Sequence, residues 1–135
     1  MNYQILAAYH DAVLSAINAD KAASASVLTF ELRDGSARRV VLKGCELLRI
    51  VDFTNQNIVS RLIKYSGASA DATDIADKLT WATSLSDASS YLSQDALTSI
   101  ISRVQAGDAS VLYLEPSNGA ELVALFTEMV QEVAG

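Results

Sequence analysis

The chain has 135 residues, a formal net charge of −6 and a hydrophobic content of 50%. A chain of this length forms one domain that buries roughly two-thirds of the surface of its unfolded state. We therefore expect a single domain over residues 1–135. The negative charge repels phosphate backbones and anionic lipid surfaces, so nucleic acids and membranes are not expected partners.

The sequence shows no sign of secretion or of membrane insertion. Its first residues, MNYQILAAYHD, lack the basic segment that begins a signal peptide. No run reaches the roughly 18 apolar residues that a membrane-spanning helix needs. Cys45 is the only cysteine, so an intramolecular disulfide is excluded. These features together predict a cytoplasmic protein.

A helix is the first predicted element, from Tyr3 to Ala19, with Asn2 as its N-cap. This spacing predicts one apolar stripe that faces a core. The apolar residues that recur at the helical spacing of three and four are Leu6, Tyr9, Val13 and Ile17.

Four strands are predicted after this helix, because the apolar pattern changes to a period of two. The turn Arg33–Gly35 joins the first two strands and places Leu28 opposite Val40. Consecutive antiparallel strands of this kind form a meander. The four strands lie around Leu28–Leu32 and at Ser36–Lys43, Glu46–Phe53 and Ile58–Ser66.

The helical period returns beyond Gly67–Asp74, a connection rich in small and polar residues. We predict helices at Asp74–Thr83 and Asp87–Ala106, the second of which is capped by Ser86. The uninterrupted apolar run within Ser110–Glu115 then indicates a fifth strand that is buried on both faces.

A last helix is predicted from Gly119 onward, because the apolar residues there would cover a broad helical face. Those residues are Leu122, Val123, Phe126, Met129, Val130 and Val133. The complete order is α-β-β-β-β-α-α-β-α. Because the strands and the helices form separate runs, the expected fold class is α+β. It would comprise a four-stranded antiparallel meander plus a fifth strand, packed by about four helices.

The residue types that most often carry catalysis or metal binding are scarce. His10 is the only histidine, and its place within the first predicted helix favours a surface role. Cys45 has no nearby cysteine or histidine, so we interpret it as a small buried residue. One cysteine and one histidine fall short of a zinc site, and the scattered glycines form no phosphate-binding motif. The sequence therefore predicts no catalytic residue, no metal and no cofactor.

The stretch VDFTNQN, residues 51–57, places uncharged polar residues between two predicted strands. Its first interpretation is a hairpin connection, because Asn tolerates left-handed backbone. The strand before it is apolar on both faces, so either a helix covers the second face or that face is an exposed partner site. The candidate binding residues are Leu47, Val51, Asp52, Phe53, Asn55, Gln56 and Asn57.

The tract LRIVDFTNQNIVSRL resembles segments of small uncharacterised proteobacterial proteins, in which a strand ending in an acid–aromatic pair meets an amide-rich turn. Those proteins carry no assigned activity. The resemblance therefore implies no catalytic residue.

Two features, the broad apolar face of the last predicted helix and the two apolar faces of the third predicted strand, predict a non-enzymatic protein that binds a protein partner or a second copy of itself. One version is an acidic inhibitor or immunity-type protein that neutralises a basic partner, since opposite charges speed association. The alternative is a small-ligand binder or enzyme, with Asp52 as acid or base and Asn55 and Asn57 as hydrogen-bond donors. That alternative requires the three side chains to converge on a pocket in which Asp52 is desolvated.

Overall fold

An antiparallel sheet of nine strands is the main feature of residues 3–134, the part of the chain that the computed structural model describes. Two α-helices and two short 3-10 turns complete the regular structure of these residues. The strands are β1 (Gln4–Ile5), β2 (Val13–Asp20), β3 (Ala25–Glu31), β4 (Ala37–Lys43), β5 (Leu47–Val51), β6 (Ile58–Tyr65), β7 (Ser110–Asn118), β8 (Glu121–Phe126) and β9 (Glu128–Ala134). The helices are α1 (Ala72–Ala82) and α2 (Gln94–Gln105), and the turns are Ala7–Tyr9 and Leu85–Asp87.

The strands are ordered β5-β8-β7-β6-β2-β3-β4-β9, and β1 pairs with β6. The chain runs on from β4 into β5 and from β8 into β9, which brings the two ends of this path together. The segments β4–β5 and β8–β9 therefore run alongside each other as one long antiparallel pair. The sheet closes on itself around an interior.

A bulge near Gly44 lies in the middle of this long pair. Lys43 pairs with Glu128, and Leu47 pairs with Leu125. Between these two pairs, three residues of one strand oppose two residues of the other. An extra residue of this kind bends a strand and increases its twist. The bulge therefore marks the point where the pair passes from one half of the sheet to the other.

The conformation at the bulge favours glycine. Gly44 has a φ of +62°, and a Cβ atom there would collide with the hydroxyl group of Thr127. Thr127 donates its backbone amide to the carbonyl oxygen of Lys43 at 3.0 Å, and the amide of Glu46 donates to Leu125 at 2.8 Å. The hydrogen bonding between the strands thus continues across the bulge.

Side chains from the inner faces of the strands fill the interior. Tyr9 contributes from the first 3-10 turn, and its ring meets Phe30 edge to face with ring centres 4.9 Å apart. The Tyr9 hydroxyl donates to the side chain of Gln131 at 2.7 Å. Burial of one large apolar side chain of this kind contributes about 1.5–3 kcal/mol to stability. Other fully buried members are Leu14, Leu28, Leu42, Leu112, Leu114, Leu122 and Phe126.

Both helices pack on the outside of one half of the sheet, formed by β5, β6, β7 and β8. Asp71 caps α1 by accepting the backbone amide of Asp74 at 3.0 Å. Ser93 caps α2 in the same way through the amide of Ala96, also at 3.0 Å. This second core buries Ile63, Val111, Val123 and Leu125 of the sheet beneath Ile75, Leu79 and Val104 of the helices.

The fold class predicted from the sequence, α+β with a four-stranded meander and about four helices, is wrong. Residues 3–134 form nine strands and only two α-helices. The strands β4, β5 and β6 also do not form a meander, because β5 pairs with β8 and β6 pairs with β7. Apolar alternation identifies a strand but does not say which strand lies at its edge.

The helix predicted from Tyr3 to Ala19 is also wrong, since this segment contains β1, a 3-10 turn and β2. Asp11 has a φ of +59°, which interrupts any helix at that point. Tyr9 and Ile17 do reach the interior, but from a turn and a strand. Helix propensity is a weak preference that pairing with β3 overrides here. The predicted cap, Asn2, lies outside the described residues.

The last predicted helix is replaced by β8 and β9. Gly119, with a φ of +78°, begins a two-residue connection from β7 into β8. Leu122 and Ala124 point into the interior, whereas Val123 and Leu125 point towards the helices. A strand with two buried faces and a helix with a broad apolar face produce the same run of apolar residues.

The helix predicted at Asp87–Ala106 begins later than expected, at Gln94 rather than at Asp87. Ser86, the predicted cap, has a φ of +54° and lies in the second 3-10 turn. Ser93 is the observed cap.

Three local predictions are confirmed. Leu28 lies opposite Val40 in the pair of β3 and β4. The helix predicted at Asp74–Thr83 corresponds to α1. The strand predicted at Ser110–Glu115 lies within β7 and is buried on both faces.

The inward and outward positions of β3 allow a direct test of this fold. We expect Leu28→Ala to lower the free energy of unfolding by about 2–5 kcal/mol, because it leaves a cavity at a fully buried site. Val27→Ala, on the outer side, should cost no more than about 1 kcal/mol. Urea unfolding of both variants measures the two losses. Equal losses would contradict the assignment of these faces.

Candidate interaction surface

A buried side chain, Asn57, holds the turn that the sequence singled out. Asn57 is only 2% exposed. Its side-chain nitrogen donates to the carbonyl oxygens of Leu14 and Thr54, at 3.0 and 2.7 Å. Its side-chain oxygen accepts the backbone amides of Thr54 and Ala120, at 2.8 and 3.1 Å. One amide group thus joins the turn to β2 and to the connection between β7 and β8.

The connection after β7 is fitted closely to this amide. A Cβ atom at Gly119 would lie 2.6 Å from the side-chain oxygen of Asn57 and 2.9 Å from the carbonyl oxygen of Gln56. The side chain of Asn118 donates to the same Gln56 carbonyl at 2.8 Å. Polar groups of the turn therefore form hydrogen bonds within the chain.

The remaining residues of the turn lie at the surface. Asp52, which has a φ of +57°, is exposed, as are Asn55 and Gln56. Asn57 directs its amide inward, whereas Asp52 and Asn55 are open to solvent. The structure does not bring these three side chains together in one pocket.

Helix α1 covers the second apolar face of β5. Leu47 packs in the core beneath the helices, and Val51 is half-buried. Arg49 donates to the carbonyl oxygen of Trp81 at 2.6 Å, and its guanidinium carbon lies 4.3 Å from the centre of the Trp81 ring. Phe53, just beyond the strand, is 46% exposed. Of the two interpretations of this face, cover by a helix is the one observed.

His10 and Cys45 both bond to backbone carbonyl groups. His10 donates from Nδ1 to Ser60 at 2.9 Å, and its ring is exposed. Cys45 donates to Leu47 at 3.4 Å, and burial raises the pKa of its thiol, which keeps it protonated at neutral pH. Within residues 3–134, no three His, Cys, Asp or Glu side chains are grouped to hold a metal ion.

A cluster of charged side chains lies on β6, β7 and β8 beside α1. Arg61 donates to both carboxylate oxygens of Glu115, at 3.0 and 2.8 Å, and this bond lowers the pKa of Glu115. Tyr113 donates to Glu121 at 2.7 Å, and burial together with that carboxylate raises the tyrosine pKa. Lys78 lies 4.2 Å from the centre of the Tyr113 ring. Each of these groups has a partner within the chain, which indicates a structural role.

The half of the sheet opposite the helices has an uncovered outer surface, which we call the open face. It is the outward side of β2, β3, β4 and β9. The core beneath α1 and α2 includes no residue from these four strands. A groove of about 420 Å³ crosses the open face. Its walls are formed by Ala16, Asn18, Val27, Thr29, Arg39, Val41 and Glu132.

Three valines form an apolar row across the open face. Val27 lies directly opposite Val41, which lies directly opposite Val130. All three are half-buried. Polar residues normally occupy the outward positions of a sheet that faces water, and this apolar row departs from that pattern.

Pairs of opposite charge border this row on both sides. Arg39 lies opposite Glu132, with 3.6 Å between the arginine Nε and the carboxylate. Lys43 lies opposite Glu128. In both pairs the cation is on β4 and the acid is on β9, so the acids lie on the outermost strand.

One edge of β9 (Glu128–Ala134) has no partner strand among the described residues, since β9 pairs only with β4. We call it the unpaired edge. Exposed edges are normally protected by charged side chains, above all lysine, by proline or by a bulge. β9 contains neither proline nor lysine, its only charges are Glu128 and Glu132, and its seven residues pair with β4 in one unbroken register. Val133, near its end, is 77% exposed.

The opposite side of the open face, on β2, is interrupted by a bulge, although residues 16–20 beyond the bulge have no partner strand on that side among the described residues. β2 pairs with β6 only at Val13, but its register shifts between Leu14 and Ala16. Ser15, at this bulge, donates its hydroxyl to the carbonyl oxygen of Thr29 at 3.1 Å. A bulge of this kind twists an edge away from an incoming strand. The two edges of the open face therefore differ.

Sequence reasoning missed both the open face and the unpaired edge. A usable signal existed, because Glu128, Val130 and Glu132 alternate with a period of two. The helical spacing of Met129, Val130 and Val133 concealed it. The side of a strand that stays uncovered depends on contacts distant in the chain, which no local pattern encodes.

Comparisons of the chain with known protein families, with curated proteins and with solved structures found no match. The resemblance of LRIVDFTNQNIVSRL to proteobacterial segments stays a prediction. Within residues 3–134, no helix is long and apolar enough to cross a membrane.

Truncation of Asn57 tests whether the turn is structural. We expect Asn57→Ala to lower the free energy of unfolding by about 3 kcal/mol, because it leaves several buried backbone groups without partners. Asn55→Ala, at an exposed position two residues earlier, should change it by less than about 0.5 kcal/mol. Chemical denaturation measures both. A small effect at Asn57 would contradict the structural role.

Proposed function

We propose that this protein is a non-enzymatic domain that binds a protein partner through its open face. One observation carries the proposal: the row of Val27, Val41 and Val130 lies on the uncovered half of the sheet, beside the unpaired edge of β9. The other apolar surface of the sheet is covered by the chain's own helices.

The composition of the open face matches that of a protein-binding surface. Such surfaces have an apolar centre that excludes water and a polar rim that stays hydrated. The valine row supplies the centre. The pairs Arg39–Glu132 and Lys43–Glu128 supply the rim, where charges contribute more to orientation and specificity than to affinity.

The net charge of −6 favours a partner with a basic surface. Opposite net charges accelerate the encounter of two proteins, and salt weakens this acceleration. An acidic inhibitor or immunity-type protein would use its charge in this way. Self-association through the same face is the competing arrangement, and nucleic acid is disfavoured by the same charge. We place this protein in the cytoplasm as part of the proposal, since its one cysteine serves no disulfide within the chain.

Site-specific photo-crosslinking tests the proposal. A photoreactive amino acid at Val130, in the open face, should form adducts with a partner in the cells that produce the protein. The same group at Ser99, exposed on α2, should form none. Val41→Lys places a charge beside Val130 in the apolar row and should reduce the Val130 adducts at least tenfold.

The variants must first show a wild-type free energy of unfolding, so that a lost adduct reports on contact and not on folding. Equal adducts at Val130 and Ser99 would contradict the proposal. So would the absence of adducts at Val130 together with a monomeric mass in sedimentation.

A further inference from the structure

We propose that the unpaired edge of β9 binds an extended, positively charged segment of the partner, which joins the sheet as an additional strand. This inference rests on the proposed function and makes it more specific.

The backbone of β9 has hydrogen-bonding groups on the side away from β4 that no other strand of the described residues uses. Each strand directs alternate amide and carbonyl groups to its two sides, and β4 uses only one side of β9. The groups on the other side are available to a new strand. An extended segment that bonds to such an edge gains affinity from main-chain hydrogen bonds and specificity from alternate side chains.

The outward side chains of β9 define the sequence pattern that an incoming strand needs. Glu128, Val130 and Glu132 occupy alternate positions and project from the same face as the valine row. A new strand beside β9 would place three of its own side chains next to them. Opposite charges at such cross-strand positions stabilise the pair, and like charges destabilise it. The favoured order on the incoming strand is therefore cation, apolar residue, cation.

Strand β4 shows that this order fits β9. On the paired side, Arg39, Val41 and Lys43 lie opposite Glu132, Val130 and Glu128, respectively. The same acids and the same valine flank the unpaired edge. An incoming segment with the pattern Arg-x-Val-x-Lys would repeat on the unpaired side what β4 already does on the paired side.

A second copy of β9 is a poorer occupant. Two antiparallel copies of this strand would bring the acids Glu128 and Glu132 of each chain into the same small region. No cation on β9 compensates these charges, because Met129, Val130, Gln131 and Val133 are uncharged. Like charges close together across a strand pair are unfavourable.

A peptide copied from the chain tests the proposal with a defined probe. The peptide SARRVVLKG, with the sequence of residues 36–44, carries the required pattern. Its control has glutamate in place of both arginines and the lysine. Binding to the whole protein is measured by fluorescence anisotropy, and amide hydrogen exchange by NMR locates the bound peptide. We expect saturable binding of SARRVVLKG, at least tenfold weaker binding of the control, and added protection at alternate amides of β9.

Two double variants separate a specific site from general attraction. Glu128→Gln with Glu132→Gln should weaken binding of SARRVVLKG at least tenfold. Asp95→Asn with Asp108→Asn changes the net charge by the same amount at exposed sites near the two ends of α2, and should change binding less than twofold. Equal effects of the two double variants would overturn the proposal.

Three further outcomes would also overturn it: no saturable binding, protection outside β9, or loss of protection in β4, which would show that the peptide replaces β4. Any of these results with retained crosslinks at Val130 would leave the open face as the binding surface and remove only the added strand. Loss of the Val130 crosslinks as well would remove both proposals.

Discussion

The close approach of Gly44 and Thr127 is the constraint on which this architecture depends. A Cβ atom at Gly44 would collide with the Thr127 hydroxyl, and the bulge at this point bends the long pair of β4–β5 and β8–β9. Because the pair bends, β5 and β8 lie under the helices, whereas β4 and β9 lie in the other half. The same two chain segments therefore close the sheet and enclose the interior core. The Asn57 side chain stabilises a second place where the sheet closes, between the turn before β6 and β2.

The open face follows from this closure. The chain contributes two helices within residues 3–134, and both cover the half that contains β5 and β8. The other half keeps a valine row at its surface. β9 extends past the start of β7, so its edge away from β4 has no neighbouring strand among the described residues. Of the two sequence features that suggested partner binding, the second face of β5 lies beneath α1, whereas the segment of the predicted last helix forms β8 and β9 and contributes Val130 to the open face. Partner binding is therefore proposed for the open face.

Local features of the fold were predictable from the sequence, and distant pairings were not. The register of Leu28 with Val40 follows from a short turn and from alternation, both of which act over a few residues. The partner of β5 is a strand about 70 residues later, beyond the reach of any local pattern. Asn57 was recognisable as a turn residue, but its bond to Leu14 depends on tertiary structure. The apolar run of β8 was ambiguous because burial on two faces removes the alternation that identifies a strand.

Amide hydrogen exchange along the continuous segment β8–β9 in the protein alone tests the closure of the sheet and the unpaired edge of β9. In β8, bonded to β7 on one side and to β5 on the other, successive amides from Leu122 to Leu125 should all be protected. In β9, only the alternate amides that bond to β4 should be protected, and those between them should exchange rapidly. Continuous protection through β9, or rapid exchange throughout it, would contradict a closed sheet in which one edge of β9 is unpaired.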